Sequence, residues 1–469
     1  MSLPEVVAPA EQPDGAPDRF PLSNQQQLFC GDAGAFGPRF IVTKALRITG
    51  PLEVAALQAA LDDVVVRHET LRTIVVRDSQ PPYQRVYPPS RVPLEVRQLA
   101  AESGRSRDEQ AEDILAEAEL GSINVEELPM LRAVLARFDD RDSVLSLLTH
   151  HSACDGWSLH LVVRDLAACY AARTGERPLS LPPVTQYREY AEWQLRNAAG
   201  PEAERNLAFW REQLGDAGVF TLPTDRPVQP VHSQDYRSDN AMLSVEQAAA
   251  ITQLAKSARC SGFMVMLAAF NVLAHRISGS TAPVINTIIH GRGQPQFKDT
   301  VGLFLNFMPL RTDLAGCTSF RDVLKSTRNT CLNAYAHELP IEHLDREIPT
   351  LMAPLADPAN CDLIFGYFES PFADGLAEAF RISERTSTVI RKERISEQMP
   401  SGAAWSIGAL ASGEIRGGLQ FNPEEFDDST AHRWVSDYAR IVTAALADPD
   451  GDWSALGDVA GHTAVTQSK

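Results

Sequence analysis

The stretch Thr149-His150-His151-Ser152-Ala153-Cys154-Asp155-Gly156-Trp157-Ser158 joins two segments of opposite character. Before it, the apolar run 143–148 predicts a buried strand, and after it apolar residues at helical spacing predict a helix over 159–173. Two adjacent histidines, followed by Asp155 and Gly156, therefore lie where a strand ends. A histidine can move a proton near neutral pH, and a glycine can let a substrate approach the backbone closely. The same residues also fit an ordinary turn, so this window alone leaves both interpretations open.

Length and composition limit the class of protein. A chain of 469 residues predicts two domains, and 44% hydrophobic with 22% charged residues is typical of a globular protein. The net charge of −18 argues against nucleic-acid binding, which requires a basic face. Because no apolar run is long enough to span a bilayer, we expect no membrane segment.

The cysteines and histidines predict neither a disulfide framework nor a metal site. Seven cysteines are scattered singly with no CxxC pair, which favours a reducing, cytoplasmic environment. Cys154 lies within the His-His stretch and could be a nucleophile, but a single cysteine is more often a small buried apolar residue. Four further histidines show no metal-ligand spacing: His68, His160, His337 and His343.

The order of predicted elements indicates an α/β (α+β) protein of two similar halves. Residues 301–310 read as an apolar strand of the second half. A proline-rich stretch without periodicity, beginning at residue 221, separates the halves and indicates a linker. The predicted division is a disordered tail at 1–18, an N-terminal subdomain at 19–200, a linker region at 201–237, a C-terminal subdomain at 238–450 and a C-terminal tail at 451–469.

The His-His stretch resembles the HHxxxDG signature of condensation domains of nonribosomal peptide synthetases. HxxxD alone also marks chloramphenicol and carnitine acyltransferases, but other motifs of the condensation family follow in the family's order. These are Ser23-Asn-Gln-Gln26, Arg67-His68-Glu69-Thr70-Leu71-Arg72-Thr73, Tyr187-Arg-Glu-Tyr190-Ala191-Glu-Trp193, Val301-Gly302-Leu-Phe304-Leu-Asn306 with Pro309-Leu310-Arg311, His337-Glu-Leu-Pro340-Ile-Glu342, and Asp362-Leu-Ile-Phe365 with Tyr367. Leu28, Cys30 and Phe307 depart from the family pattern, and its arginine-rich last motif is missing.

The resemblance implies two chloramphenicol-acetyltransferase-like subdomains in a V-shaped pseudo-dimer with a central tunnel. A peptidyl carrier protein would present the donor thioester on its 4'-phosphopantetheine arm, and the acceptor would be a small molecule or a second carrier-bound group. No covalently bound cofactor or metal is implied.

The resemblance also implies roles for the loop residues. His151 would act as the general base, and the Gly156 backbone N–H would stabilise the oxyanion. Asp155 would either take part in catalysis or hold the loop through an ion pair with Arg292, an arginine that the family places in the second subdomain. His150 would support the loop.

Other positions keep two interpretations. Trp157 and Asn306 could line the tunnel, but Trp157 with Ser158 could simply start and cap a helix, and Asn306 could hold a strand. Arg67, Glu69 and Arg72 predict a structural salt-bridge cluster. Tyr190 and Trp193 are three residues apart on a helix and predict core packing.

The sequence therefore predicts a condensation enzyme, free-standing or excised from a larger synthetase, that transfers a carrier-bound acyl or aminoacyl group to an amine or an alcohol. The intact histidine pair argues against the cyclization branch of the family, which carries a DxxxxD pattern. Two alternatives stay open: a catalytically silent recruitment module, and an acyltransferase that uses soluble acyl-CoA.

Overall fold

The computed structural model describes residues 19–30, 40–99, 104–119, 121–198, 200–228, 236–368, 380, 386–389, 402–409 and 413–456. The predicted tail at 1–18 lies outside the described residues. Within these ranges, contacts divide the chain into two compact units. The first comprises Met1–Ala203, His290–Asn306 and Ser370–Pro400, and the second comprises Glu204–Ile289, Phe307–Glu369 and Ser401–Lys469.

The first unit contains eight of the strands and five of the helices that the structure describes. The strands are β1 (Arg19–Pro21), β2 (Ile41–Thr49), β3 (Thr73–Val76), β4 (Tyr83–Val86), β5 (Leu94–Gln98), β6 (Leu131–Asp139), β7 (Asp142–His150) and β13 (Thr386–Val389). The helices are α1 (Asn24–Cys30), α2 (Val54–Arg67), α3 (Arg107–Glu119), α4 (Gly156–Arg173) and α5 (Tyr187–Asn197).

A five-stranded sheet of order β13-β2-β7-β6-β5 forms the centre of this unit, beside a small sheet of order β1-β4-β3. Every residue of β7 is buried, as expected of a strand covered on both faces. Helices α2 and α4 cover one face, where Leu61 and Leu159 share a core cluster with Leu147. Helix α3 covers the other face through Ile114 and Leu115. The buried strand predicted at 143–148 is confirmed, and it ends at the first histidine.

The second unit is also a mixed α/β unit. Its strands are β8 (Thr221–Pro223), β9 (Arg237–Leu243), β10 (Val284–Ile289), β11 (Asn306–Arg311), β12 (Asn360–Phe368), β14 (Ala403–Ala409) and β15 (Ile415–Phe421). They form one sheet of order β11-β10-β12-β14-β15-β9, with β8 paired to β12. Its helices are α6 (Pro201–Leu214), α7 (Val245–Ala258), α8 (Gly262–Ser278), α9 (Phe320–Ala336), α10 (Ile341–Glu347) and α11 (Asp428–Ala447).

The division by contacts differs from the sequence-based division in one respect that matters for function. Residues 290–306 lie between two strands of the second unit, yet they pack with the first unit. The region predicted as a linker at 201–237 holds helix α6 and strand β8, and residues 229–235 lie outside the described residues. In the region predicted as a C-terminal tail, Trp453 is buried and donates a hydrogen bond to the Cys317 carbonyl at 2.8 Å.

The strand predicted over 301–310 is half wrong, because only Asn306–Arg311 is a strand. The preceding residues bond elsewhere: the Gly302 carbonyl accepts from the Asp155 N–H, and the Phe304 N–H donates to the Asp155 carboxylate. Backbone groups used in this way cannot also join a sheet. The apolar pattern of this stretch therefore reflects burial and not strand pairing.

No helix within the described residues is by itself long and apolar enough to cross a membrane. Helices α7 and α8 reach that length and composition together, but they meet at a bend of 99°.

Candidate active site

The candidate site forms at the junction of strand β7 and helix α4. The His151 N–H continues the sheet by donating to the Phe40 carbonyl at 2.8 Å. A short turn follows, in which the Ala153 N–H donates to the His150 carbonyl at 3.0 Å. Asp155 then caps helix α4, since its carboxylate accepts from the Ser158 N–H at 2.7 Å. The strand end and the helix start thus hold the histidine loop from both sides.

Asp155 is a buried carboxylate whose charge is fully compensated. Arg292 donates to it in a bidentate arrangement, Nη1 to Oδ2 at 3.0 Å and Nη2 to Oδ1 at 3.1 Å, and both side chains are almost completely buried. The N–H groups of Ser158 and Phe304 also donate to the carboxylate. Burial alone would raise the pKa of Asp155, but the Arg292 charge and these hydrogen bonds outweigh it and lower the pKa.

The predicted pairing of Asp155 with Arg292 is therefore present in the structure. Its expected placement needs correction, because Arg292 belongs to the 290–306 segment, which packs with the first unit that also holds Asp155. A sequence cannot show this, since residues 290–306 are flanked on both sides by strands of the other unit.

Ser158 is a central residue of the site that the sequence reasoning assigned only to helix capping. The cap is Asp155, and the Ser158 hydroxyl instead donates to the Gly302 carbonyl at 2.7 Å. The same oxygen accepts from the Gly302 N–H at 2.9 Å and from Arg292 Nη2 at 2.6 Å. One hydroxyl thus uses its donor and both acceptor positions. Its place three residues after an N-cap aspartate is the sequence signal that could have identified it.

Two glycines allow the 290–306 segment to approach this closely. Gly291 has φ of +61°, and a Cβ there would lie 2.0 Å from the Phe304 carbonyl oxygen. At Gly302 a Cβ would lie 2.0 Å from the Tyr187 ring. A side chain at either position would push the segment away from Asp155. Only glycine therefore fits at positions 291 and 302.

His151 is held as a neutral imidazole. Its ring stacks on Phe40 with 4.3 Å between ring centroids and 24° between planes. Burial, opposed by the nearby Asp155 charge, lowers the pKa of His151 to about 4. Nδ1 of this ring finds no hydrogen-bond partner in the part of the chain that the structure describes. The imidazole is therefore unprotonated at neutral pH and able to accept a proton.

His150 contacts the loop itself. Its Nδ1 accepts from the Ser152 N–H at 3.1 Å and lies 2.8 Å from the Ser152 hydroxyl. Cys154 is completely buried, and burial raises the pKa of its thiol far above the ordinary value. A buried neutral thiol is not a nucleophile, so the interpretation of Cys154 as a small buried residue is confirmed.

The remaining predicted residues lie at different distances from the loop. Gly156 is exposed and is the first residue of α4, where an N–H has no acceptor within the helix. Trp157 packs on His290 with 5.1 Å between ring centroids and lies 5.8 Å from the Arg292 guanidinium. Asn306 is buried at the start of β11, beyond the residues that contact Asp155. Its assignment to a tunnel stays a prediction.

The motif at 67–73 supports the site indirectly. Arg67 and His68 donate to the buried Asp165 of helix α4, at 2.7 and 2.9 Å. The Thr70 hydroxyl donates to the Ala153 carbonyl in the histidine loop at 3.1 Å. The predicted salt-bridge cluster is present for Glu69 and Arg72, which lie 3.7 Å apart, and Glu69 also pairs with Arg188 at 2.8 Å. Arg67 is a correction to that prediction, because its carboxylate partner is Asp165.

The aromatic motif on α5 lies in the core, as predicted. The Tyr190 ring lies 4.4 Å from the Phe304 ring and 6.0 Å from the Trp193 ring. Tyr187 donates to the Leu303 carbonyl at 2.5 Å. These contacts fix the part of the 290–306 segment that carries Gly302 and Phe304. Within the described residues, no group of three His, Cys, Asp or Glu side chains is arranged to hold a metal ion.

The family model described as the condensation domain matches residues 17–459. Among curated proteins, the chain is 34% identical over 466 residues to CymA of Salinispora arenicola (strain CNS-205), a probable non-canonical nonribosomal peptide synthetase, and 31% identical over 477 residues to the dimodular nonribosomal peptide synthase of Bacillus subtilis (strain 168). Among solved structures, SgcC5 of Streptomyces globisporus superposes with a TM-score of 0.84 at 38% identity, over 92% of this chain and 100% of that chain.

The two curated relatives are much longer proteins. The match takes in 94% of this chain but 6% of the length of CymA, and 96% of this chain but 19% of the Bacillus protein. The similarity therefore concerns one domain of each synthetase and not the activity of the whole.

Proposed function

Because this chain belongs to the condensation-domain family, whose members are acyltransferase-like enzymes, we propose that it transfers a carrier-bound acyl or aminoacyl thioester to an amine or alcohol acceptor in secondary-metabolite biosynthesis. The observation that carries this proposal is the neutral His151 imidazole, held where a strand ends and helix α4 begins. The donor partner would be a peptidyl carrier protein, which presents the thioester on its phosphopantetheine arm as part of the substrate.

His151 would take the proton of the acceptor. The acceptor nitrogen or oxygen attacks the thioester carbonyl, His151 accepts the N–H or O–H proton, and a tetrahedral intermediate forms. The C–S bond then breaks, and the pantetheine sulfur leaves with the proton from His151. General-base assistance of this kind contributes about 10²–10⁴-fold in rate. Its pKa of about 4 leaves His151 unprotonated before reaction.

Helix α4 would stabilise the negative charge of the intermediate. Its first N–H groups have no acceptor within the helix, and the helix dipole places partial positive charge at that end. Gly156 supplies the first of these N–H groups, and in the structure a Cβ at Gly156 would meet no atom within 4 Å. Open space at this position is compatible with close approach of a substrate oxygen. Asp155 and Arg292 act as positioning residues, since they compensate each other and hold the helix end.

Both acceptor classes enter the test. The SgcC5 structure contains a 1,2-ethanediol that carries a naphthyl group, so alcohol acceptors deserve equal weight with amines. The assay combines the purified chain, aminoacyl carrier proteins, and panels of amines and alcohols, with products read by mass spectrometry. Transfer from the carrier, with no transfer from the matching acyl-CoA, supports the proposal.

Two variants test the mechanism. We expect His151→Ala to lose about 10²–10⁴-fold in kcat/KM. Cys154→Ala is the matched control in the same loop, and we expect it to retain activity because the thiol is buried and neutral. Undiminished activity of His151→Ala would exclude the proposed base. Binding of carriers without turnover by the unmodified chain would favour a recruitment module, and transfer from acyl-CoA would favour a soluble acyltransferase.

A further inference from the structure

A cavity in the first unit has no part in the mechanism above. Its volume is about 420 Å³, at the small end of the range for ligand sites. We propose that this cavity binds a small organic oxyanion, a carboxylate or a phosphate ester, whose charge is held by Arg188 and whose apolar part packs against the cavity walls. Seven residues of the first unit line the cavity: Phe20, Glu69, Arg72, Val86, Tyr87, Pro88 and Arg188.

Two sequence motifs that the transfer mechanism leaves unused meet at this cavity. Glu69 and Arg72 are the first and last residues of the turn Glu69–Arg72 in the motif at 67–73, and Arg188 belongs to the motif on helix α5. Thr70 of the same turn contacts the histidine loop through its hydroxyl. His151 and Asp155 are not among the residues that line the cavity, so it is separate from the candidate active site.

The lining of the cavity carries more positive than negative charge. Its two guanidinium groups share one carboxylate: Arg188 Nε donates to Glu69 Oε2 at 2.8 Å, whereas Arg72 Nη2 lies 3.7 Å from Glu69 Oε1. The second distance is too long for a hydrogen bond. Because one carboxylate cannot neutralise two cations, one positive charge is left over among the lining residues.

Arg188 is the residue best placed to hold an oxyanion. Glu69 uses its Nε, but its two Nη groups have no hydrogen-bond partner in the part of the chain that the structure describes. The guanidinium lies over the Phe20 ring, 4.7 Å from the ring centroid, which restricts its plane. Its side chain is 31% exposed, so a ligand can reach it. Guanidinium groups bind carboxylates and phosphates through paired N–H donors.

The position of Arg188 in helix α5 adds to this preference. Arg188 lies in the first turn of α5, directly after Tyr187, the first residue of the helix. The helix dipole places partial positive charge at that end, which favours an anion and disfavours a second cation. An oxyanion bound by Arg188 therefore interacts favourably with both the side chain and the helix.

The other walls of the cavity favour an apolar group on the ligand. Phe20, Val86, Tyr87 and Pro88 supply aromatic and aliphatic surface. An inorganic anion cannot cover this surface, whereas an oxyanion joined to an apolar group contacts both parts of the cavity. The net charge of the whole protein is −18 and repels anions at long range, so a preference for an oxyanion must come from the local arginines.

The test compares small probes by isothermal titration calorimetry. The carboxylate arm uses 3-phenylpropanoate beside its amide and beside propanoate, and the phosphate arm uses phenyl phosphate beside phenol and beside inorganic phosphate. In at least one arm we expect the aromatic oxyanion to bind about tenfold more tightly than its neutral partner and than the anion without a ring. The arm that shows this preference identifies the oxyanion.

Three variants locate the binding site. Arg188→Gln should weaken binding of the preferred probe about tenfold, whereas Arg177→Gln, which removes an exposed arginine of the same unit, should leave it unchanged. Glu69→Gln removes the carboxylate that competes for Arg188 and should tighten binding. Loss of folding cannot produce these opposite changes, and thermal unfolding of each variant checks that it is folded.

The inference is overturned if the unmodified protein binds oxyanions and neutral probes equally, or if Arg188→Gln binds as tightly as the unmodified protein. His151→Ala should retain the affinity, and a loss there would place the probe in the candidate active site, against the inference. None of these measurements requires acyl transfer. A failure of the proposed function would therefore leave this site standing, and a failure of the site would leave the proposed function standing.

Discussion

Helix α4 carries two buried aspartates that are held in different ways. Asp155, at its start, has one bidentate arginine and backbone N–H donors from two separate segments. Asp165, in its interior, is shared by Arg67, Arg164 and His68. The first arrangement depends on a single cation from residues 290–306, and the second distributes one negative charge over several partners. This difference predicts that the loss of one partner destabilises the protein more at the start of helix α4 than in its interior.

Removing the arginine partner of each aspartate should give the largest difference in the free energy of unfolding. Arg292→Met leaves a fully buried carboxylate without its cation, and we expect a loss of about 3–5 kcal/mol in the free energy of unfolding. Arg164→Met is the matched control; its side chain is 39% exposed, and Asp165 retains Arg67 and His68. We expect that variant to lose about 1 kcal/mol or less. Chemical denaturation of both checks the comparison, which fails if the two losses are equal.

The close approach of Gly291 to the Phe304 carbonyl should give the next largest difference in stability. Gly291→Ala must accept a positive φ and a Cβ placed 2.0 Å from the Phe304 carbonyl, for a loss of about 3 kcal/mol. Gly175, near the other end of α4, has φ of +73° and nothing within 4 Å of a Cβ. Gly175→Ala should therefore lose only about 1 kcal/mol. Equal melting temperatures for the two variants would show that contact with Phe304 does not hold the segment.

Replacing each aspartate with its uncharged amide analogue separates the effect on catalysis from the effect on stability. Asp155→Asn keeps a helix cap but weakens the pairing with Arg292, so the helix start shifts and kcat/KM should fall about 10²-fold. Asp165→Asn should lower the melting temperature while leaving kcat/KM of the folded protein unchanged. The assay is carrier-dependent transfer at saturating acceptor, alongside thermal unfolding. An equal loss of rate in both variants would mean that the whole helix, and not its first turn, positions His151.

Acidity should have the smallest effect on rate. Because the pKa of His151 is lowered to about 4, kcat/KM with a non-titrating alcohol acceptor should be constant from pH 7 to pH 5 and decline only near pH 4. An inflection near the ordinary histidine pKa of about 6.5 would contradict a half-buried base that its surroundings keep neutral.

The sign of the stability change follows from the same shift. The unfolded chain takes up a proton at His151 near pH 6.5, whereas the folded chain does so near pH 4. The contribution of this residue to stability is therefore complete above pH 6.5 and is lost as the pH falls toward 4. His151→Phe should reduce this part of the acid sensitivity, as measured by melting temperature against pH.

Local patterns in the sequence predicted the elements around the site well. The apolar run before the histidines is a buried strand because β7 is covered on both faces. The helix after them begins at Gly156, three residues earlier than the apolar periodicity predicts. Asp155 is the N-cap, and residues 156–158 of the first turn lack that periodicity. The apolar pattern wrongly predicts a strand at residues 301–305, because burial by backbone contact and burial in a sheet leave the same pattern.

The mixed α/β class and the elements around the histidine loop follow from local sequence patterns, because periodicity and helix caps are properties of neighbouring residues. The resemblance of the ordered motifs indicated the condensation family. Only the folded structure shows that residues 290–306 pack with the first unit and that Ser158 joins Gly302 to Arg292. These contacts join residues that are more than a hundred positions apart. They form because burying Asp155 requires a cation and backbone donors, and only the folded chain can bring both to the start of helix α4.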